Sequence, residues 1–206
     1  MRIVEKIWDS KPIVSVALWP LALIFWALST VRKKILKRSK KTETTVPVIV
    51  IGNISVGGTG KTPILLELAH FIISHGFKVG IVSRGYGGKD ASYPMSVLPD
   101  SDVAEVGDEA LMLAQSISVP VVVDPDRCRA LKALVDLNEI DVVLSDDGLQ
   151  HYQLKRTMEI VVVDGDRLFG NKFFLPAGPL RESISRLNTV DFVLTNGSKD
   201  QLDVVK

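Results

Sequence analysis

The chain has 206 residues, 25 basic and 24 acidic side chains, and a formal net charge of +1. This length suits one domain with an appendage, or two small domains, and is enough to bury a substantial core. The balanced charge argues against a nucleic-acid partner. The single cysteine, Cys128, excludes an internal disulfide and a cysteine-built zinc site, which fits a reducing compartment.

The N-terminal segment, residues 1–45, has the most uneven charge distribution. Residues 12–31 form a mainly apolar run of about 20 residues, long enough for a helix to cross a bilayer. Pro20 lies inside this run and predicts a kink. Residues 32–41 then contain seven basic side chains and no acidic one. This bias places the following chain in the cytoplasm and would set the basic residues against anionic lipid.

Three structures are compatible with the apolar run: a helix that spans the bilayer, a kinked helix that lies in the interface, and a soluble core helix. A cleaved signal peptide fits poorly, because the basic residues follow the apolar run and no small-residue cleavage site is present. We therefore predict that residues 1–45 associate with a membrane. The remainder, residues 46–206, is predicted to form the main domain.

A glycine-rich loop follows the first apolar strand pattern, residues 46–51, and precedes a helical pattern at 62–75. A loop in this position surrounds a chain of phosphates with backbone N–H groups. Lys61 is expected to reach the β- and γ-phosphates, and the Thr62 hydroxyl to hold Mg²⁺. The predicted nucleotide-binding residues are Ser55, Val56, Gly57, Gly58, Thr59, Gly60, Lys61 and Thr62.

One position departs from the usual GxxxxGK[ST] pattern, since Ser55 stands where the first glycine is expected. The alternative to a phosphate loop is a glycine-rich turn whose lysine and threonine are incidental. The strand before the loop, the helix after it and the intact GKT favour the phosphate loop.

Another apolar strand pattern, residues 141–144, is soon followed by two carboxylates, Asp146 and Asp147. An apolar strand that ends in acid is the arrangement by which phosphate-loop proteins order Mg²⁺. The alternative is a turn in which the aspartates have no ligand. His151 follows closely and could bind substrate, although a lone histidine is more often an ordinary loop residue.

Three further positions have two interpretations each. Arg84 follows a strand pattern at 77–82 and could clamp a phosphate, or lie in solvent. Asp108 and Glu109 begin a helix, where carboxylates complement the helix dipole; one of them could instead accept a proton from a hydroxyl during phosphoryl transfer. Spacing alone favours the dipole. Arg127 begins another helix and is available to anionic groups or to solvent.

Strand and helix patterns alternate along residues 46–206, with further strands at 119–123, 159–163 and 190–195. The fold class predicted is α/β: a mostly parallel sheet of the P-loop NTPase type with helices on both faces, preceded by an N-terminal membrane-associated helix.

The motifs together resemble the tetraacyldisaccharide 4'-kinase family, the lipid A 4'-kinases of Gram-negative bacteria. The resemblance runs nearly end to end and rests on the glycine-rich loop with Pro63, SRGYG at 83–87, VGDE at 106–109, DDGLQH at 146–151 and PAGPLRE at 176–182. It implies an enzyme on the cytoplasmic face of the bacterial inner membrane. That enzyme would transfer the γ-phosphate of ATP, with Mg²⁺, to the 4'-hydroxyl of a tetraacylated disaccharide 1-phosphate, giving lipid IV A in lipid A biosynthesis.

The resemblance also implies individual roles. Lys61 and Thr62 take their phosphate-loop roles, Asp108 is the catalytic base, and Asp146 and Asp147 form the Mg²⁺ pair. The family carries a hydroxyl residue or similar at position 55, and its N-terminal helix binds the membrane interface and helps recognise the lipid. The positions expected to line the nucleotide or the lipid head group are Arg84, Arg127, His151, Arg181 and Glu182.

Family members usually continue into a second α/β lobe, which supplies a histidine partner for the catalytic carboxylate. His70, His75 and His151 do not match that histidine, so the chain is expected to be a fragment or a truncated relative that binds nucleotide. Two alternatives remain open. One is a membrane-attached P-loop NTPase that acts on a protein partner, and the other is a truncated chain that binds nucleotide without turnover.

Overall fold

The computed structural model describes Trp8, residues 12–85 and residues 92–197. Its N-terminal part forms two helices, α1 (Pro12–Ala17) and α2 (Trp19–Arg38). Pro20 lies in the first turn of α2, and Leu18 interrupts the helix just before it. Proline is well tolerated in the first turn of a helix, because the N–H it lacks has no partner there, so Pro20 marks the start of α2. Within the described residues, no helix combines the length and the apolar character needed to cross a bilayer.

Seven strands follow: β1 (Val48–Gly52), β2 (Val79–Ser83), β3 (Met95–Val97), β4 (Val121–Val123), β5 (Val142–Asp146), β6 (Met158–Asp164) and β7 (Phe192–Asn196). They form one sheet in the order β3-β4-β2-β5-β1-β6-β7. β5 pairs in parallel with both β1 and β2, and β2 pairs in parallel with β4. β3 pairs with β4 in the antiparallel direction. The mostly parallel α/β sheet is confirmed, while the three-residue strand β3 was not predicted.

The helices after the N-terminal pair are α3 (Lys61–Ser74), α4 (Val103–Val106), α5 (Asp108–Ser116) and α6 (Arg127–Leu137), with a 3₁₀ helix at Ile184–Thr189. α3 corresponds to the helix predicted at 62–75. Gly76 follows its end with φ 86°. A left-handed glycine at this point is a common way for a helix to end.

The described residues divide into two compact units. The core unit comprises residues 40–52, 60–85 and 92–160, and the loop unit comprises Trp8 and residues 12–39, 53–59 and 161–197. In the core unit, β2 and β4 are buried at every residue. Such complete burial is expected where both faces of a parallel sheet are covered. Helix α6 packs on β2 and β4, and α3 packs on β5 and β1.

Candidate active site

The phosphate loop connects β1 to α3 and depends on glycine at two positions. Gly57 has φ 112° and Gly60 has φ 77°, conformations that L side chains rarely adopt. Asn53 Nδ2 donates to Thr59 Oγ1 at 3.2 Å, and both side chains are buried. The loop is therefore closed on itself by a bond between its two ends, as a preorganised phosphate site requires.

Position 55 does not require a glycine, because the loop begins there as extended, paired backbone. Ser55 is buried, forms a β-bridge with Leu180, and is not among the residues with positive φ. Next to it, the Arg181 N–H donates to the Ile54 carbonyl at 2.8 Å. The segment 176–182 thus braces the first part of the phosphate loop. The departure at position 55 is accounted for by this pairing.

The same segment also contacts the N-terminal part of the loop unit. The Val56 N–H donates to the Pro179 carbonyl at 2.9 Å. The Trp8 indole N–H donates to the Pro176 carbonyl, also at 2.9 Å. Segment 176–182 therefore touches both the phosphate loop and the N-terminal region.

The two predicted metal carboxylates lie at the end of β5, in the core unit. Asp146 is 3% exposed, and its Oδ2 accepts a hydrogen bond from Ser83 Oγ at 3.1 Å. Its Oδ1 has no hydrogen-bond partner among the described residues. Burial, followed by the negative charge of Asp147, raises the pKa of Asp146 to about 6, and the positive charge of Lys61 opposes the rise.

Asp147 holds a left-handed backbone, with φ 47°. Such a conformation costs energy in a non-glycine residue and tends to persist at functional sites. Its Oδ1 lies 3.7 Å from Lys61 Nζ. Thr62 follows Lys61 in the first turn of α3. The structure thus brings Lys61 together with the carboxylate pair.

Asp108 and Glu109 form the first turn of α5, after Gly107 with φ 84°. Asp108 is exposed, and its Oδ1 accepts the Glu109 N–H at 3.0 Å. The charge of Glu109 contributes to the raised pKa of Asp146. The start of α5 therefore lies within electrostatic reach of the carboxylate pair. This placement is compatible with both the dipole and the catalytic interpretation of Asp108.

Arg127, predicted to line the nucleotide or the lipid head group, is buried within the core unit. It is 1% exposed, and its guanidinium donates to the carbonyls of Asp124 at 2.8 Å and Asp146 at 3.0 Å. Burial lowers its pKa to about 10, while Asp146 opposes the shift. Arg127 therefore joins the ends of β4 and β5. A helix-start arginine looks the same in sequence whether it is buried or solvated.

Glu182, which has the same predicted role, is also engaged within the protein. It is 8% exposed, and its Oε2 lies 2.7 Å from Lys33 Nζ on α2 and 3.6 Å from Arg186 Nε. The carboxylate is therefore engaged by two cations within the loop unit. Its neighbour Arg181 is half-buried and is positioned by the backbone bond to Ile54.

Two other predicted positions are only partly defined. Arg84 is exposed directly after β2, and its charge contributes to the lowered pKa of Arg127, so the two arginines lie within electrostatic reach. The rest of that predicted motif, residues 86–88, lies outside the described residues. His151 is half-buried, and its backbone N–H donates to the Gly148 carbonyl at 3.0 Å.

Sequence reasoning missed one contact of the phosphate loop. Arg167 Nη2 donates to the Gly58 carbonyl at 2.8 Å, and its Nε donates to Asp164 Oδ2 at 2.7 Å. Asp164 ends β6. The sequence signal that could have indicated this contact is the same as for Asp146: an apolar strand that ends in an acidic residue. We infer that Arg167 stabilises the loop from the side of β6.

Replacing Asp146 by asparagine is expected to stabilise the cation-free protein at neutral pH. The pKa of Asp146 is raised from 3.8 to about 6, so the folded state binds the proton more tightly than the unfolded state. The penalty for its charge is absent below about pH 4, grows between pH 4 and 6, and is complete above that range. At one pKa unit per 1.36 kcal/mol, the gain is about 3 kcal/mol at most. Urea unfolding of the variant and the wild type in EDTA at pH 5 and pH 7.5 measures this gain in stability. Equal stabilities of the two proteins at pH 7.5 would contradict the prediction.

Replacing Glu182 by alanine is expected to lower the free energy of unfolding by about 3 kcal/mol. The reason is that Arg186, which is buried, and Lys33 lose the carboxylate between them. Glu43→Ala is the matched control, because Glu43 pairs with Lys40 on the surface and exposed pairs contribute little. Urea unfolding of both variants is the measurement. A loss no larger than that of the control would show that the pair is not structural.

A mostly parallel sheet, a GKT loop between strand and helix, and carboxylates at the end of the adjacent strand define a P-loop nucleotide-binding protein. Comparison with known proteins narrows this class. A family model described as tetraacyldisaccharide-1-P 4'-kinase (LpxK) matches residues 14–206. The chain belongs to the tetraacyldisaccharide 4'-kinase family.

Individual relatives support the same family. A tetraacyldisaccharide 4'-kinase of Pseudoalteromonas atlantica is 49% identical over 184 residues, which cover 88% of this chain and 60% of the relative. One from Nitrosococcus oceani is 58% identical over 152 residues, which cover 74% and 45%. The crystal structure of "apo" form LpxK from Aquifex aeolicus in complex with ATP matches with a TM-score of 0.79 at 29% identity, over 88% of this chain and 58% of that one. The chain thus spans about 60% or less of the length of these relatives.

Proposed function

We propose that the chain binds ATP with Mg²⁺ and transfers the γ-phosphate to the 4'-hydroxyl of a tetraacylated disaccharide 1-phosphate, giving lipid IV A. The observation that carries the proposal is the cluster of Lys61, Asp146 and Asp147 beside a glycine-dependent phosphate loop, in a chain of this family. In such sites catalysis is mainly positioning and charge neutralisation.

The proposed nucleotide contacts are residues 55–62, with Lys61 on the β- and γ-phosphates. Thr62, Asp146 and Asp147 fit a divalent cation, because hydroxyl and carboxylate oxygens are the ligands that Mg²⁺ prefers. The unpartnered Oδ1 of buried Asp146 supports this fit. When bound there, Mg²⁺ would neutralise charge on the phosphates.

Asp108 is proposed as the base. As the 4'-oxygen forms its bond to the γ-phosphorus, the bond from that phosphorus to the β–γ bridging oxygen breaks and ADP leaves. The proton of the hydroxyl passes to the Asp108 carboxylate. Exposure of Asp108 at the start of α5 supports the role, since a base must be accessible to the substrate hydroxyl. Arg84, His151 and Arg181 remain proposed contacts of the nucleotide or head group.

Residues 1–45 are proposed to hold the chain at the cytoplasmic face of the bacterial inner membrane, and residues 46–206 to form the kinase domain. Several apolar side chains of α1 and α2 are more than half exposed, among them Ile13, Leu21, Ile24, Leu28 and Ile35. The basic residues 32–41 follow within and after the end of α2. Apolar exposure beside positive charge favours a helix that lies in an anionic interface. Co-sedimentation with anionic vesicles but not with zwitterionic ones is expected; failure to sediment with either would refute it.

One assay tests the whole proposal: incubation of the chain with γ-labelled ATP, Mg²⁺ and the disaccharide lipid. Label on the lipid is the expected result. Label released as inorganic phosphate, whether or not lipid is present, would instead favour a membrane-attached NTPase that acts on a protein partner. Bound nucleotide with no turnover would identify a nucleotide-binding chain without kinase activity.

A further inference from the structure

We propose that Ser83 is a positioning residue that orients the Asp146 carboxylate toward the cation bound with ATP. This inference rests on the proposed function, because it concerns the cation of the same site. Ser83 is 4% exposed at the end of β2. The register of β2 against β5 sets Val82 opposite Ser145, so Ser83 and Asp146 end neighbouring strands side by side.

The backbone of Asp146 is fixed from two directions. Its register on β1 sets it opposite Ile51, and its carbonyl accepts the Arg127 guanidinium at 3.0 Å. The side chain retains rotation about the Cα–Cβ bond and about the bond from Cβ to the carboxylate carbon. The hydrogen bond from Ser83 Oγ to Oδ2, at 3.1 Å, limits that rotation. Ser83 thus determines which oxygen is held by the protein and which remains available.

The remaining oxygen, Oδ1, is buried without a hydrogen-bond partner among the described residues. Leaving a buried acceptor unsatisfied is destabilising, and more so for a charged group. The cost is offset when a cation binds that oxygen. A buried carboxylate with one oxygen bonded and one free is therefore arranged for a ligand on a defined side. Groups that orient ligating carboxylates in this way commonly change metal affinity by about 10–100-fold when removed.

A purely structural role for Ser83 makes a different prediction. If its hydroxyl only lowers the cost of burying Asp146, removal should reduce the stability of the fold and weaken nucleotide binding equally with and without Mg²⁺. If it positions the carboxylate, the loss should be confined to the Mg²⁺-dependent part of the affinity. The two roles are separated by measuring nucleotide affinity under both conditions.

The experiment uses the 206-residue chain and a fluorescent, non-hydrolysable ATP analogue, titrated in EDTA and at a series of Mg²⁺ concentrations. For Ser83→Ala we expect the Mg²⁺ midpoint to rise about 10-fold, with the affinity in EDTA within about twofold of wild type. Ser83→Thr, which keeps the hydroxyl, should restore the wild-type midpoint. Ser145→Ala is the matched control: Ser145 is a buried serine beside Asp146 whose hydroxyl has no partner among the described residues.

Thermal unfolding in EDTA checks that each variant is folded. An unchanged Mg²⁺ midpoint in Ser83→Ala would overturn the inference while leaving the proposed function intact. An equal loss of affinity in EDTA and in Mg²⁺ would overturn it in favour of the structural role. Absence of Mg²⁺-dependent binding by the wild-type chain would overturn the proposed function, and this inference with it.

Discussion

Lys61→Ala is expected to lower the affinity for ATP in Mg²⁺ and to reduce phosphoryl transfer by at least roughly 10²–10³-fold, the range seen when one group that stabilises developing charge is removed. Two effects combine. The phosphates lose their cation, and Asp147 loses the ammonium that lies 3.7 Å from its Oδ1. Lys61 also opposes the raised pKa of Asp146, so its removal raises that pKa further toward neutrality. A protonated Asp146 is a poor ligand for a divalent cation.

The combination has a recognisable signature. Part of the defect lies in the protonation of Asp146. As the pH is raised from 6 to 8, the Mg²⁺ concentration needed for half-maximal nucleotide binding should therefore fall more in Lys61→Ala than in wild type. Lys61→Arg should not restore transfer, since a planar guanidinium does not replace a compact ammonium. Lys78→Ala is the control, because Lys78 lies on the surface of the core unit and pairs with Glu139. Wild-type ATP affinity in Lys61→Ala would refute the phosphate-loop assignment.

The positions of Lys61 and the carboxylate pair could be predicted because their signals are local. Lys61 is defined by a glycine-rich loop between a strand and a helix, and Asp146 by an apolar strand that ends in acid. In parallel sheets the carboxyl ends of adjacent strands meet at one edge, so two local patterns determine a shared location. β5 pairs in parallel with β1 in the structure, so the carboxyl ends of these two strands lie side by side.

Arg127, Glu182 and Arg167 could not be placed from sequence because their partners are distant along the chain. Arg167 bonds to Gly58, 109 residues away, and Glu182 pairs with Lys33, 149 residues away. Arg127 is held by carbonyl groups, which every residue carries and no motif reveals. The identity of a charged side chain does not show whether solvent, ligand or protein neutralises it.

The role of Ser55 illustrates the opposite case, in which an apparent defect in a motif has a structural cause. The usual first glycine of the loop permits unusual backbone angles. Here the loop begins as a β-bridge to Leu180, and positive φ angles occur at two later glycines, Gly57 and Gly60. The cost of losing one glycine is avoided because segment 176–182 supplies a hydrogen-bonded partner.

Asp108→Asn is expected to reduce phosphoryl transfer by roughly 10²–10⁴-fold while leaving ATP affinity within about twofold, because a general base acts in the chemical step and not in nucleotide binding. Asparagine keeps the shape of the side chain and can still accept the Glu109 N–H, which Asp108 Oδ1 accepts at 3.0 Å. The local geometry at the start of α5 should therefore survive. Only the proton acceptor is lost.

This substitution separates the two interpretations of Asp108. If the carboxylate only complements the dipole of α5, Asp108→Asn should cost about 0.3–1 kcal/mol of stability and leave transfer unchanged. Glu105→Gln is the control, since Glu105 is an exposed carboxylate on α4, just before Gly107. Single-turnover transfer to the disaccharide lipid, measured beside nucleotide affinity and urea unfolding, distinguishes the outcomes. Transfer at the wild-type rate would assign Asp108 to the helix and require the proton to leave by way of another group.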